Sequence, residues 1–195
     1  MRLGIDIDDT ITDTYEVLFN YAQRYNVEEL HKSANINKEA CTTHHYTSHM
    51  HNWNDEERET FWKKYYLEIL SKVRLKTFAK EYLLKLAENN EIYLITARFD
   101  NENEDARKVT EEWLKQNGIK YNKLILDAEE KGKVAKENKI DVFIDDSFDN
   151  CKNVSREGIR TYIMDSRTNR ALDESKENFM RVYSWAHLYQ QLNLN

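Results

Sequence analysis

The sequence has no proline, only four glycines and only two cysteines among 195 residues. Cys41 and Cys151 lie too far apart to make a disulfide framework or a Cys-x-x-Cys site, so both are expected to be reduced. With glycine and proline so scarce, chain reversals fall to asparagine-rich segments such as Asn89-Asn90 and Asn101 to Asn103. No apolar run approaches the roughly 18 residues of a membrane span, and Met1-Arg2-Leu3 leads straight into a strand-like segment instead of a signal sequence. The expectation is a soluble, cytoplasmic chain with no membrane partner. Basic stripes are missing too: 29 Lys plus Arg face 35 Asp plus Glu, a net charge of −6, which argues against a nucleic-acid polymer as partner. Internal repeats and low-complexity linkers are absent as well.

What the chain does have is apolar content concentrated in large side chains, 12% aromatic within 40% hydrophobic. At this length about 70% of the unfolded surface can be buried, so one domain, or a core with a small insertion, stands on packing alone. Short apolar runs alternate with amphipathic stretches of helical length, the pattern of an α/β fold. The strand candidates are Arg2 to Ile7, Glu91 to Thr96, Lys123 to Asp127, Asp141 to Asp145 and Arg160 to Met164, with Arg181 to Trp185 as a short last strand. The gap of about eighty residues between the first two is too long for one crossover. Helical stripes there, one of Tyr15, Leu18, Phe19 and Ala22 and one of Phe61, Trp62, Tyr65, Tyr66, Ile69 and Leu70, predict a small cap over residues 14–74. The core then comprises 1–13 and 75–195.

The chemistry concentrates where apolar runs end. Leu3 to Ile5 runs into Asp6-Ile7-Asp8-Asp9-Thr10, and the carboxyl end of a strand is where open α/β sheets bind ligands. Carboxylates so crowded favour a hard divalent cation, Mg²⁺ first, although Asp9 or Thr10 could instead cap the next helix. Ile92 to Ile95 runs into Thr96-Ala97-Arg98, whose hydroxyl and following N–H groups suit a phosphate oxyanion. Val142 to Ile144 runs into Asp145-Asp146-Ser147, with Asp149 beyond. Strand alternation predicts that one of Asp145 and Asp146 binds metal directly and the other supports it from behind. Lys131 and Lys133 are candidates to neutralise phosphate or nucleophile charge. Each residue alone has an ordinary explanation; their order and their placement at strand ends do not.

This set resembles the haloacid dehalogenase superfamily of phosphotransferases. Asp6 and Asp8 match its DxDx[TV] motif, Thr96 its strand-end Thr or Ser, Lys131 or Lys133 its lysine, and Asp145-Asp146 with Asp149 its acidic motif. The cap after the first motif, the Ile-Thr-Ala-Arg run and Ile-Asp-Asp look like the 5′(3′)-deoxyribonucleotidase group. Two departures are the short spacing from the lysines to Asp145 and Asp9 where many relatives carry glycine. The resemblance implies a Rossmann-like three-layer α/β core with a mainly parallel sheet and a small helical cap. It also implies Mg²⁺-dependent phosphomonoester hydrolysis, with a nucleoside monophosphate as the small phosphorylated partner. Asp6 would form an aspartyl-phosphate and Asp8 would act as acid and base. Mg²⁺ would be held by Asp6, the Asp8 main-chain carbonyl and Asp145, while Thr96 and the lysine hold phosphate oxygens. The competing readings are a sugar phosphatase of the same superfamily, a receiver-like domain and a non-catalytic phosphate binder.

A second cluster, Cys41, His44, His45, His49 and His51, contains His45 and His49 at i, i+4 but fits no closed zinc pattern. The favoured alternatives are a solvated cap loop or, with Tyr46 and Trp53, part of a substrate pocket. The aromatic stretch Phe61 to Tyr66 reads as cap core in preference to a base-stacking platform.

Overall fold

The computed structural model describes residues 1–37, 46–100 and 105–193, without the Tyr46 side chain. Cys41, His44, His45 and Asn101 to Asn103 lie outside the described residues. The chain runs β1 (Arg2–Ile5), α1 (Thr14–Arg24), a π-helical turn (Tyr25–Glu29), α2 (Tyr46–His51), α3 (Asp55–Lys72), α4 (Ala79–Ala87) and β2 (Glu91–Ile95). It continues with α5 (Asp105–Asn117), β3 (Lys123–Ile125), α6 (Lys131–Glu137), β4 (Val142–Asp145), α7 (Phe148–Arg156), β5 (Arg160–Met164), β6 (Phe179–Val182) and α8 (Trp185–Asn193). The six strands form one sheet in the order β3-β2-β1-β4-β5-β6, and every pairing is parallel.

Parallel strands covered on both faces read as continuous apolar runs, and β1 and β4 do so. One face packs Leu3, Ile5, Leu94 and Ile144 against Leu83 of α4, Trp113 of α5 and Trp185 and Leu188 of α8. The other packs Ile95 and Phe143 against Ala135 of α6 and Val154 of α7. The result is the three-layer α/β architecture expected. Gly4 is required by this packing, since a Cβ there would lie 2.7 Å from the Phe143 ring.

Several strands end sooner than the apolar pattern predicts. β1 stops at Ile5 and β3 at Ile125 because the residues beyond leave the ladder to build loops at the carboxyl edge. The last strand is Phe179–Val182, not Arg181 to Trp185; Trp185 opens α8 and donates its indole N–H to Thr10 O (3.1 Å), which ties the C-terminal helix to the loop after β1.

The segment expected as a cap leaves and rejoins the rest through adjacent strands of chain. Thr12 and Leu75 form an antiparallel bridge, flanked by Asp13 N–H to Arg74 O and Lys76 N–H to Ile11 O, both 2.8 Å. Helix α3 begins with a capping box, in which Asn54 and Glu57 each accept the other's backbone N–H at 2.9 Å. Among these helices Trp53, Phe61, Tyr25 and Tyr65 make a contiguous aromatic cluster.

Trp53 therefore belongs to packing rather than to a pocket wall. It is only 9% exposed, and its indole N–H is spent on the buried Asn26 Oδ1 (2.9 Å). The periodicity of aromatic residues is the same for either role, and burial separates them. Trp53→Ala is expected to destabilise the fold by about 3 to 5 kcal/mol, measured by urea unfolding; a loss below about 1 kcal/mol would mean that the indole is not part of the core.

Candidate active site

Parallel pairing of β1 with β2 on one side and β4 on the other gathers three strand ends at one edge of the sheet. Ile5 pairs with Ile144, so Asp6 and Asp145 emerge one step later, side by side, and Asp6 N–H still bonds Ile144 O at 2.9 Å. Lys131, the first residue of α6, reaches in from the loop after β3. Its Nζ lies 2.6 Å from Asp6 Oδ1 and 2.7 Å from Asp145 Oδ2, and all three side chains are buried. Asp145 also accepts the Ser147 N–H (2.8 Å) and faces the Asn150 amide.

Asp146 joins them: Asp6, Asp145 and Asp146 each offer an oxygen, all within 4.8 Å of one another. The alternation expected of Asp145 and Asp146 does not apply, because β4 ends at Asp145 and Asp146 already belongs to the turn. Burial pushes the Asp6 carboxyl up to about 7 against the pull of Lys131, with Asp145 and Asp8 adding to the rise. Burial likewise raises Asp146 well above the carboxylate range, helped by the charges of Asp9, Asp145 and Asp6. The Lys131 ammonium is disfavoured by burial, but Asp145 and Asp6 outweigh that and raise its pKa. All donors are hard oxygens and their negative charge exceeds that of the one ammonium among them. Such a set suits Mg²⁺.

Asp8 is separated from this group by its own partner. Arg98 grips it as a fork, Nε to Oδ2 and Nη2 to Oδ1, each 2.8 Å, and the Thr14 hydroxyl donates to Oδ1 at 2.7 Å. Burial opposes ionisation of Asp8, yet the charge and hydrogen bonds of Arg98 prevail and hold the carboxyl below its ordinary value. Thr96 follows β2 directly and is buried; its Oγ accepts the Arg98 N–H (3.2 Å), while its own O–H finds no acceptor among the described residues.

The remaining candidates sit elsewhere. Lys133 is exposed and lies 3.9 Å from Glu130, so of the two lysines the fold brings Lys131 to the carboxylates. Asp149 is exposed in the first turn of α7, outside the three-carboxylate group. Asp9 caps α1 by accepting the Tyr15 N–H (2.9 Å), and its φ of 57° is the left-handed conformation that glycine favours and aspartate tolerates. Its carboxyl is raised by burial to about 7. His51 is buried in α2 with Nδ1 2.8 Å from Thr47 O, and no metal-binding group of histidines occurs among the described residues.

Two features carried no assignment in the sequence reading. The role of Arg98 depends on a partner 90 residues away. Beside it, Phe99 is 53% exposed and stacks flat on Tyr66, with ring centres 4.2 Å apart and an interplanar angle of 3°. The Tyr66 hydroxyl donates to Phe99 O (3.0 Å), which fixes the pair from both ends.

Comparison with known proteins agrees with this geometry. The family model described as "5′ nucleotidase, deoxy (Pyrimidine), cytosolic type C protein" matches residues 1–194. A nucleotidase of Clostridium acetobutylicum is 30% identical over 190 residues, covering 97% of this chain and 92% of that protein. A haloacid dehalogenase-like hydrolase of Streptococcus pneumoniae superposes with a TM-score of 0.67 at 11% identity, over 98% of this chain and 97% of the other. The HAD hydrolase YfnB of Bacillus subtilis, solved with bound magnesium, gives a TM-score of 0.65 at 16% identity, over 98% of both chains. With a haloacid dehalogenase-like fold and a family match along nearly its whole length, the chain belongs to the type C 5′-nucleotidase family and is a phosphatase of nucleotidase type.

Proposed function

We propose that the protein is a Mg²⁺-dependent 5′-nucleotidase that works through an aspartyl-phosphate on Asp6, with residues 14–74 as a cap over the core site. The observation that carries this reading is the pairing of two adjacent aspartates with opposite surroundings. Asp6 lies among carboxylates beside Lys131, and Asp8 lies in the fork of Arg98. Two carboxylates with separate environments can take separate roles.

Asp6 attacks phosphorus, the bond from phosphorus to the leaving oxygen breaks, and Asp8 gives that oxygen a proton. Asp8 then takes a proton from water as the water attacks phosphorus and releases the Asp6 carboxylate. The ionised resting state of Asp8 suits the second step. For the first, the negative charge of the arriving phosphate favours proton uptake by Asp8. Lys131 and the free Thr96 O–H hold phosphate oxygens. Mg²⁺ would be held by Asp6, Asp145 and the Asp8 main-chain carbonyl, with Asp146 alongside, and when bound it offsets the charge of nucleophile and phosphate.

The nucleotide substrate is supported by the family match together with the Tyr66–Phe99 pair. An exposed aromatic face adjoining Arg98 offers a base a stacking surface, which buried Trp53 does not.

Three outcomes are expected. Asp6→Asn, which keeps volume but loses the nucleophile, should fold normally by circular dichroism and show no measurable phosphate release; near-wild-type turnover would remove Asp6 from its role. Chelation should abolish activity and Mg²⁺ restore it, and Asp145→Asn should raise the Mg²⁺ concentration for half-maximal rate more than Asp149→Asn. The reverse order would contradict the assignment of the acidic strand end. Because stacking is worth about 1 to 3 kcal/mol per base, Phe99→Ala should lower kcat/KM for nucleoside 5′-monophosphates about 5-fold or more and leave ribose 5-phosphate nearly unchanged. Equal losses, or a wild-type preference for the sugar phosphate, would favour a sugar phosphatase.

A further inference from the structure

We infer that Arg98 is a positioning residue for Asp8, acting with Thr14 and Thr110 to fix the carboxylate so that one lone pair of Oδ2 stays open for proton exchange. The inference rests on the reading of Asp8 as the acid and base of ester hydrolysis. An ionised carboxylate has about four lone-pair sites. Arg98 Nη2 at 2.8 Å and the Thr14 hydroxyl at 2.7 Å fill both sites on Oδ1, and Arg98 Nε at 2.8 Å fills one on Oδ2. Among the described residues no group takes the remaining site, which is on Oδ2.

The guanidinium is itself held in place. Its Nη1 donates to Thr110 Oγ on α5 at 3.1 Å, Thr110 is fully buried, and the Arg98 side chain is 2% exposed. Its backbone is pinned at both groups, N–H to Thr96 Oγ at 3.2 Å and C=O from Asp127 N–H at 3.0 Å. The planar fork thus joins the loops after β1 and β2 to α5 and removes the rotational freedom of the Asp8 carboxylate. A point charge would not do the same, because an ammonium cannot span both oxygens in one plane.

Arg98→Lys separates the charge from the fork. On an alkyl phosphate, whose leaving oxygen needs the proton, kcat should fall about 10-fold or more, with KM within about 2-fold of wild type. On p-nitrophenyl phosphate, whose leaving group needs little protonation, the phosphorylation step, read as the burst of p-nitrophenol, should slow much less, whereas hydrolysis of the acyl phosphate slows equally for either ester. In an Asp8→Asn background, Arg98→Lys should cost nothing further, since a residue acting only through Asp8 has no effect once the acid is gone. Thr110→Val, nearly isosteric and leaving the fork itself untouched, should show the same leaving-group dependence in weaker form and decides the matter if Arg98→Lys does not fold by its melting profile.

Independent losses in the double variant, or a rise in KM as the main effect of Arg98→Lys, would overturn the positioning role and make Arg98 a phosphate ligand in its own right. A loss in the phosphorylation step of Thr110→Val that does not depend on the leaving group would overturn it too. Wild-type protein that releases no phosphate from any ester would instead overturn the hydrolase reading, and the positioning role with it.

Discussion

Buried carboxylates that approach one another within 4.8 Å repel strongly, and they share one place only if positive charge lies among them or some take up a proton. That constraint organises the carboxyl edge of this sheet. Asp6 and Asp145 are brought side by side by the parallel register of β1 and β4, a consequence of backbone pairing that leaves the charges no freedom to separate. Lys131 answers part of the repulsion with one ammonium bonded to both. Asp146 adds a carboxylate whose pKa is raised by burial and then by the charges of Asp9, Asp145 and Asp6. In the proposed function a divalent cation would complete the balance, and an arriving phosphate would need that positive charge as well.

The same edge holds a second charge pair kept apart from the first. Asp8 stands two residues from Asp6 in sequence, yet its carboxylate belongs to Arg98 and Thr14. Burying a lone guanidinium or a lone carboxylate would cost several kcal/mol, and the fork geometry offsets that cost for both. Opposite electrostatic surroundings for these two aspartates are what would allow, in the proposed mechanism, one to attack and the other to move protons. The sheet supplies the frame, since the loops after β1 and β2 carry the two halves of the pair.

The sheet and its acidic edge were legible in the sequence because each signal is local. An apolar run that stops at Asp6, at Thr96 or at Asp145 announces both the strand and the polar end where the candidate site lies. Lys131 and Lys133 could not be told apart by spacing. Only the start of α6 separates them, since residues two apart on a helix point to different sides and Lys131 is the one turned inward. Arg98 was visible as a residue but not as a partner, because its grip on Asp8 links two loops that only the sheet brings together. Trp53 packs among the helices between β1 and β2 instead of lining a pocket, and exposed Phe99 had no reading in the aromatic pattern. Periodicity reports that a ring is buried or exposed along a helix, whereas Trp53 is covered by Tyr25, Phe61 and His51 from other turns and Phe99 follows a strand.

Covalent capture of phosphate by Asp6 is the claim from which the other roles follow. It is tested most directly in the Asp8→Asn variant with p-nitrophenyl phosphate and Mg²⁺, where formation of the acyl phosphate needs little acid but its hydrolysis lacks a base. After an acid quench, mass spectrometry of the peptides should find one phosphoryl group on the peptide that contains Asp6, and none when Asp6 is also replaced by asparagine. A phosphoryl group on a different residue, or turnover by the wild-type enzyme with no adduct in the variant, would contradict the account.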